Sequence, residues 1–162
     1  MNVFISYSVA DTALVSKVAE QIKSKASVNY WDLSKAPGKE TWPTIFSWID
    51  MADLVLVLIT DKTMCRAFSV GQEVGHAKKG GKQIIPLVTK DVASADLGCL
   101  AGITYIPLDT TNPSAALRAV QGELEKLEME TLVRKGLEEQ KQKQTVFVLA
   151  GLALLLFVLN KK

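Results

Sequence analysis

The stretch Ser69-Val-Gly-Gln-Glu-Val-Gly-His-Ala-Lys-Lys-Gly-Gly-Lys-Gln-Ile-Ile-Pro-Leu-Val88 decides the fold, because it combines a short helix, a glycine turn and a buried strand. At about 100° per residue, three apolar residues of the helix share one face: Val70, Val74 and Ala77. Gly80-Gly81 is typical of a helix end, and the apolar run 84–88 is typical of a strand covered on both faces. The stretch therefore predicts one helix–strand step of an α/β domain.

Glu73 lies on the border of that apolar face, about 65° from its centre. Ser69 and His76 lie on the same side, one turn before and one turn after it. A carboxylate held half-buried at the edge of a core is where a catalytic acid with an altered pKa can lie. The alternative is a surface glutamate paired with Lys78 or a neighbour. On this helix alone the alternative is favoured, because most glutamates at helix edges are solvated.

Composition limits the classes of function. The 162 residues suffice for one ordinary domain and an appendage. Nineteen Lys and Arg against 17 Asp and Glu give a formal net charge of +2, so the sequence predicts no nucleic-acid partner. Cys65 and Cys99 lie far apart, and His76 is the single histidine. This pattern argues for a reducing compartment and against a metal site.

Apolar runs and helical periodicities alternate along the rest of the chain. Four further strands are predicted, at 2–7, 28–31, 53–60 and 103–108. Helices are predicted over about 12–25 and 42–51, and a long helix begins at Pro113. Alternating strands and helices form right-handed crossovers. The sequence therefore predicts a flavodoxin-like α/β fold, with a five-stranded parallel sheet in the order 2-1-3-4-5 and helices on both faces.

A ligand crevice is expected at one edge of this sheet. In such folds, ligands bind beyond the carboxyl ends of the strands, near the switch between strands 1 and 3. Three predicted segments follow those ends: 6–11, 31–41 and 60–73. Glu73 is expected to project toward the crevice, which strengthens the catalytic interpretation of this residue.

The C-terminal part divides by polarity. An apolar stripe of the long helix is expected to face the domain, at Leu117, Val120, Leu124 and Leu127. We therefore predict a domain over 1–127, a polar helical stalk over 128–144 and a membrane-anchoring helix over 145–160.

The anchor prediction rests on the run 145–159, which is apolar on every side and flanked by polar residues. The alternative is a buried core helix. Fifteen residues reach only about 22 Å against a hydrocarbon core of ~30 Å, so spanning requires the flanking lysines to snorkel. Basic residues before the run place the domain in the cytoplasm, with a single-pass C-terminal anchor and membrane lipid as a partner.

Four short motifs follow one another along the predicted domain. The first is Val3-Phe-Ile-Ser-Tyr-Ser8 with Asp11, and the second is Asp32 with Pro37-Gly38 and Trp42. The third is the strand 52–60, and the fourth is Gln72-Glu-Val-Gly-His-Ala77 with 84–86. In this order the motifs resemble those of the TIR (Toll/interleukin-1 receptor) domain family, and the fourth is similar to bacterial members. The resemblance covers residues 1 to 127.

The resemblance implies an activity. Enzymatic TIR domains cleave the bond between nicotinamide and ribose in NAD, with a catalytic glutamate on the helix that here carries Glu73. NAD is then the substrate, and no cofactor or metal is needed. The products are those of hydrolysis or of cyclisation, by an NAD+ nucleosidase or an ADP-ribosyl cyclase. A role in signalling or antiphage defence is implied.

The resemblance also implies supporting residues. Those expected to bind the substrate are Ser6, Tyr7, Ser8, Trp31, Phe68 and Ser69. The three residues after the first strand have an equally good alternative in capping and turn chemistry. Family sites are often completed by a neighbouring protomer's loop, which implies self-association through an assembly loop at Pro37, Gly38 and Trp42. Of Trp31 and Trp42, at least one is expected in the core.

Three other functions remain open from the sequence. A non-enzymatic TIR adaptor would recruit TIR partners to a membrane and would not need Glu73. A membrane-disrupting effector would use the C-terminal segment. A nucleoside deoxyribosyltransferase also breaks N-glycosidic bonds and places a glutamate before Gly-x-Ala, but the Ser-Tyr-Ser start and the Pro-Gly loop favour the TIR resemblance.

Overall fold

The computed structural model describes residues 1–32, 40–92 and 94–159. Its strands are β1 Asn2–Ser6, β2 Ser27–Tyr30, β3 Leu54–Ile59, β4 Gln83–Thr89 and β5 Ile106–Leu108. Its α-helices are α1 Thr12–Ile22, α2 Thr41–Met51, α3 Ala67–Lys79 and α4 Ser114–Leu159. Three short 3-10 segments complete the described elements: Val9–Asp11, Asp61–Arg66 and Ser94–Leu100.

The five strands form one parallel sheet in the order β2-β1-β3-β4-β5. This confirms the flavodoxin-like sheet predicted from the sequence. Strand β5 begins three residues later than predicted, because the amide of Ile103 bonds to the carbonyl of Leu100 in a turn. The central strand β3 is buried over its whole length, as its continuous apolar run indicates.

Helices cover both faces of the sheet. One core joins alternate residues of β3 with α2 and α3: Val55, Val57, Ile59, Ile45, Ile49, Val70, Val74 and Ala77. The intervening residues of β3 point to the opposite face, and they are equally buried. On α1, Val15, Val18 and Ile22 are buried as well. The amide of Gln121 in α4 reaches the carbonyl of Gln21 at 3.3 Å.

Helix α3 ends at the glycine pair that the sequence indicated. The amide of Lys82 bonds to the carbonyl of Ala77 at 2.9 Å, which closes the last turn. Gly81 has a φ of +64°, a conformation that costs glycine little because it has no Cβ. This tight turn sends the chain directly from α3 into β4, which pairs with the central strand β3.

The chain divides into two compact units, Met1–Gly122 and Glu123–Lys162. In the described ranges, no helix is both long and apolar enough to cross a membrane. The predicted single-pass anchor at 145–160, and with it the membrane localisation, is therefore wrong, and lipid loses its basis as a partner. The physical reason is length, since the apolar run of fifteen residues spans about 22 Å against a hydrocarbon core of ~30 Å.

Candidate active site

Glu73 is buried, with only 6% of its surface exposed. Its neighbours Val70, Val74 and Ala77 pack into the core and draw this edge of α3 against the sheet. Burial raises the pKa of Glu73 from 4.5 to about 7, because a carboxylate is less stable away from water, and the Ser6 hydroxyl acts in the opposite direction. Near neutral pH the group is divided between its charged and neutral forms, which suits a residue of an active site.

Among the residues that the structure describes, two buried side-chain atoms lack a hydrogen-bond partner: Oγ of Ser6 and Oε2 of Glu73. Ser6 is close enough for its hydroxyl to lower the pKa of Glu73, yet Ser6 Oγ makes no bond of acceptable geometry. The two side chains are therefore neighbours rather than a bonded pair. Buried polar atoms without partners are uncommon, and they occur where a ligand or a change of state supplies the partner.

A cavity of about 250 Å³ opens beside Glu73. It lies at the carboxyl end of β1, next to the point where the strand order switches, where ligands bind in sheets of this kind. Its walls come from β1 and the segment after it, from the end of β2, and from α2 and α3: Phe4, Ile5, Tyr7, Val9, Trp31, Thr41, Trp42, Ile45, Ser69 and Glu73. Among these described lining residues, Glu73 is the one acidic side chain.

Aromatic rings form much of the cavity wall. The Tyr7 hydroxyl donates a hydrogen bond to the carbonyl of Trp31. Trp31 is buried and packs on Trp48, with ring centroids 6.0 Å apart, so it serves the core and the cavity together. Trp42 packs on Phe46 at 5.5 Å. These contacts fix flat apolar surfaces opposite the carboxyl group.

Tyr7 stays a hydrogen-bond donor over the physiological pH range. Its pKa is raised above 10.0, chiefly by burial, and the negative charges of Asp32 and Glu73 add to this effect. The Tyr7 ring also meets Tyr30 edge-on at 6.0 Å. Tyr7 therefore ties the segment after β1 to the end of β2.

His76 pairs with a residue other than Glu73. Its Nε2 lies 2.8 Å from Oδ1 of Asp50 on α2. Its ring stacks on Phe46 with centroids 4.3 Å apart. The single histidine thus links α3 to α2 behind Trp42.

The cavity contains half of the site residues predicted from the sequence. Five of them line it: Tyr7, Trp31, Trp42, Ser69 and Glu73. Ser6 and Ser8 are buried but do not line the cavity. Phe68 is 78% exposed and does not line it either. The predicted loop residues Pro37 and Gly38 lie outside the described residues.

Sequence reasoning missed several wall residues, among them Val9 and Thr41. Val9 lies in the polar segment after β1. Its position after the end of a strand is the one feature of the sequence that could have predicted a place in the cavity wall. Ile45 of α2 lies in the core and also reaches the cavity. In the part of the chain that the structure describes, no group of three or more metal-binding side chains comes together.

Fold and cavity together define a flavodoxin-like α/β domain with the buried carboxyl group of Glu73 in a cavity at its ligand-binding edge. The TIR domain family model matches residues 3–121. The chain therefore belongs to the TIR domain family. Comparison with curated protein sequences gives no match.

Solved structures share this fold at low identity. The TIR domains of the activated Roq1 resistosome, which recognises the pathogen effector XopQ, are 14% identical with a TM-score of 0.61, over 76% of this chain and 98% of that one. CMP N-glycosidase BcmB of Clostridium botulinum is 16% identical with a TM-score of 0.54, over 75% and 98%. The 2-deoxyribosyltransferase of Bacillus psychrosaccharolyticus is 16% identical with a TM-score of 0.51, over 72% and 96%.

Proposed function

We propose that this TIR domain cleaves the bond between nicotinamide and ribose in NAD, with Glu73 as the catalytic residue. The observation that carries the proposal is the buried Glu73 carboxyl group, with a pKa of about 7, in the wall of a 250 Å³ cavity at the switch point of the sheet. The fold shared with a CMP N-glycosidase and a 2-deoxyribosyltransferase supports chemistry at an N-glycosidic bond.

The chemistry needs one carboxylate. When the bond from ribose C1′ to the pyridinium nitrogen breaks, the electron pair stays on nitrogen and neutral nicotinamide leaves. No general acid is needed. The ribose becomes an oxocarbenium-like cation, which an ionised Glu73 stabilises. Water then attacks C1′ and loses a proton to give ADP-ribose, or the adenine of the same molecule attacks to give a cyclic product.

The aromatic side chains that line the cavity assist the reaction by excluding water from the bound substrate. A carboxylate and a cation attract each other more strongly in a medium of low dielectric constant than in water. Tyr7, Trp31 and Trp42 line the cavity with flat aromatic rings, and a nicotinamide ring bound against them would displace water from the site. Substrate contacts by Ser8 and Phe68 remain predictions, since neither residue lines the cavity.

Self-association through TIR–TIR contacts is part of the proposal, with the loop around Pro37 and Gly38 as the element of assembly. Signalling or antiphage defence of a bacterial type is the biological setting that we propose. A TIR scaffold without enzymatic activity is the alternative, and it would not depend on the ionisation of Glu73.

The decisive experiment measures NAD consumption by the purified full chain, at high protein concentration, against Glu73→Gln. We expect the glutamine variant to lose at least 100-fold in rate, because the amide cannot offset the developing positive charge. The wild-type rate should rise about tenfold per pH unit below pH 7 and level off above it, since the ionised form is the active one.

Glu20→Gln is the matched control, because Glu20 is an exposed carboxylate of the same unit that pairs with Lys23. Its rate should equal that of the wild type. Chromatography of the products separates hydrolysis from cyclisation. Equal turnover in Glu73→Gln, or none in the concentrated wild type, would overturn the enzymatic proposal and favour the scaffold. Assays with CMP in place of NAD test whether the protein cleaves the N-glycosidic bond of another nucleotide.

A further inference from the structure

Ser6 lies at the end of β1, where it pairs in register with Val57 of β3. Its side chain is 1% exposed and does not line the cavity. A direct contact of Ser6 with a substrate in the cavity is therefore not favoured. The side chain nevertheless lies close to Glu73, and within the described part of the chain its hydroxyl oxygen has no hydrogen-bond partner.

Two other polar groups near Glu73 are already engaged, and a third carries the wrong charge. The Tyr7 hydroxyl, at the end of β1, donates to the carbonyl of Trp31. His76, one turn along α3, pairs with Asp50 of α2. Asp32, after β2, carries the same charge as an ionised Glu73 and so offers it no stabilisation. Among the described residues, Ser6 is a neighbouring donor that is buried and has no partner of its own, so it is available when Glu73 loses its proton.

The need for a donor depends on the state of Glu73. A neutral carboxyl group tolerates burial, whereas a buried carboxylate requires hydrogen bonds. A hydroxyl bonds to a carboxylate more strongly than to a neutral acid. Staggered rotamers of serine lie 120° apart, so rotation of one side-chain torsion changes where the hydroxyl points.

We propose that Ser6 is a positioning residue that binds the ionised carboxylate of Glu73 from behind and holds its other oxygen toward the cavity. Ser6 then acts through Glu73 and not on the substrate. The proposal rests on the proposed function of Glu73, and it adds a second residue that sets the pH range in which the site works.

The first test follows the Glu73 carboxyl carbon by NMR in the full chain labelled with ¹³C-glutamate, with Glu73→Gln to assign the signal. In Ser6→Ala, the Glu73 titration midpoint should move upward by about one pH unit, because a bond to the charged form is lost. Thr89→Val is the matched control, since it removes another buried hydroxyl from the sheet edge, outside this cavity. It should leave the midpoint unchanged.

The second test is the pH profile of NAD turnover in the same proteins. In Ser6→Ala the acid limb of kcat/KM should move upward with the NMR midpoint, while KM at pH 9 stays that of the wild type. Ser6→Cys keeps a weaker donor of similar size. The acid limb of its kcat/KM profile should therefore lie between those of the wild type and of Ser6→Ala. Ser6→Cys also carries the test if Ser6→Ala does not fold.

The two proposals fail separately. An unchanged Glu73 midpoint in the Ser6 variants, or an equal shift in Thr89→Val, overturns the role of Ser6. A raised KM at pH 9 in Ser6→Ala also overturns it, because that result assigns Ser6 to substrate contact. Absence of NAD turnover in the wild type overturns the proposed function instead, and the NMR titration still measures the coupling of Ser6 to Glu73.

Discussion

Two cavities at the carboxyl edge of the sheet each contain a buried acidic residue. The two carboxyl groups differ in their hydrogen-bond and charge partners. Asp11 borders a cavity of about 320 Å³ and is 4% exposed. Its carboxylate accepts a hydrogen bond from the Thr60 hydroxyl at 2.7 Å and lies 3.4 Å from the ammonium group of Lys62. Glu73 is equally buried, but its Oε2 has no partner.

The difference separates an acid with a structural role from the acid to which we assign the proposed chemistry. Asp11 ties the segment after β1 to the segment after β3, and Thr60 is itself held by a bond from its amide to the Thr63 hydroxyl at 2.9 Å. Partners compensate for the burial of charge in that cavity. At Glu73 burial outweighs the opposite effect of the Ser6 hydroxyl, so the folded protein is less stable when Glu73 is ionised. A positive charge on a bound ligand would stabilise the ionised carboxylate of Glu73.

The largest effect is expected at Glu73. Its pKa rises from 4.5 unfolded to about 7 folded, so the folded state holds the proton more tightly. Stability is highest below pH 4.5 and falls as the pH rises through 7, by about 3 kcal/mol in total. Glu73→Gln imitates the neutral form, so it should be more stable than the wild type by about 3 kcal/mol at pH 8 and equal to it near pH 4.

Urea unfolding at the two pH values measures this difference. Glu20→Gln, at an exposed carboxylate, should show no such dependence on pH. A Glu73→Gln protein that is less stable than the wild type at pH 8 would contradict the contrast between the two acids.

A smaller effect, a loss of stability rather than a gain, is expected when Asp11 in the other cavity is replaced. Asp11→Ala removes the acceptor of the buried Thr60 hydroxyl and should reduce the free energy of unfolding by about 2 kcal/mol at pH 7. Asp11→Asn keeps an acceptor oxygen and should lose less. Urea unfolding checks both, and an Asp11→Ala protein as stable as the wild type would remove the structural role assigned to Asp11.

The smallest effect concerns the wall of the Glu73 cavity. Tyr7→Phe removes the hydroxyl that binds the carbonyl of Trp31 and should reduce stability by about 1 kcal/mol. Because this bond ties β1 to the end of β2, KM for NAD should rise more than kcat falls. Tyr30→Phe is the comparison variant in the neighbouring ring. Steady-state kinetics with an unchanged KM in Tyr7→Phe would show that the wall does not depend on this bond.

The sheet could be predicted from sequence because each strand carries its own signal. The run Leu54–Ile59 is apolar throughout, and the spacing of Val70, Val74 and Ala77 defines the buried side of α3. These are local patterns, and the order of strands follows from general rules for parallel crossovers. The position of Glu73 on a helix border predicted a half-buried side chain and, from the helix alone, favoured a surface residue, whereas the structure buries it.

Other parts of the site depend on contacts between distant segments. Nothing local to Ser6 shows that its hydroxyl lies close to Glu73, 67 positions later in the chain (73 − 6 = 67). Phe68 and Ser69 are neighbours in sequence, yet one is largely exposed and the other lines the cavity, because successive helix positions point about 100° apart. The error at 145–160 arose because snorkelling lysines were expected to make up for an apolar run that is too short to span the hydrocarbon core.

The missing partner of Glu73 Oε2 has an evolutionary consequence. Replacement of this glutamate by a neutral residue relieves a strain on folding, so random drift would remove the carboxyl group if nothing opposed its loss. Selection for stability alone retains residues such as Asp11, whose loss weakens the fold. If descendants of this sequence keep a glutamate at position 73, selection must therefore favour its chemistry, because selection for stability alone would favour its replacement.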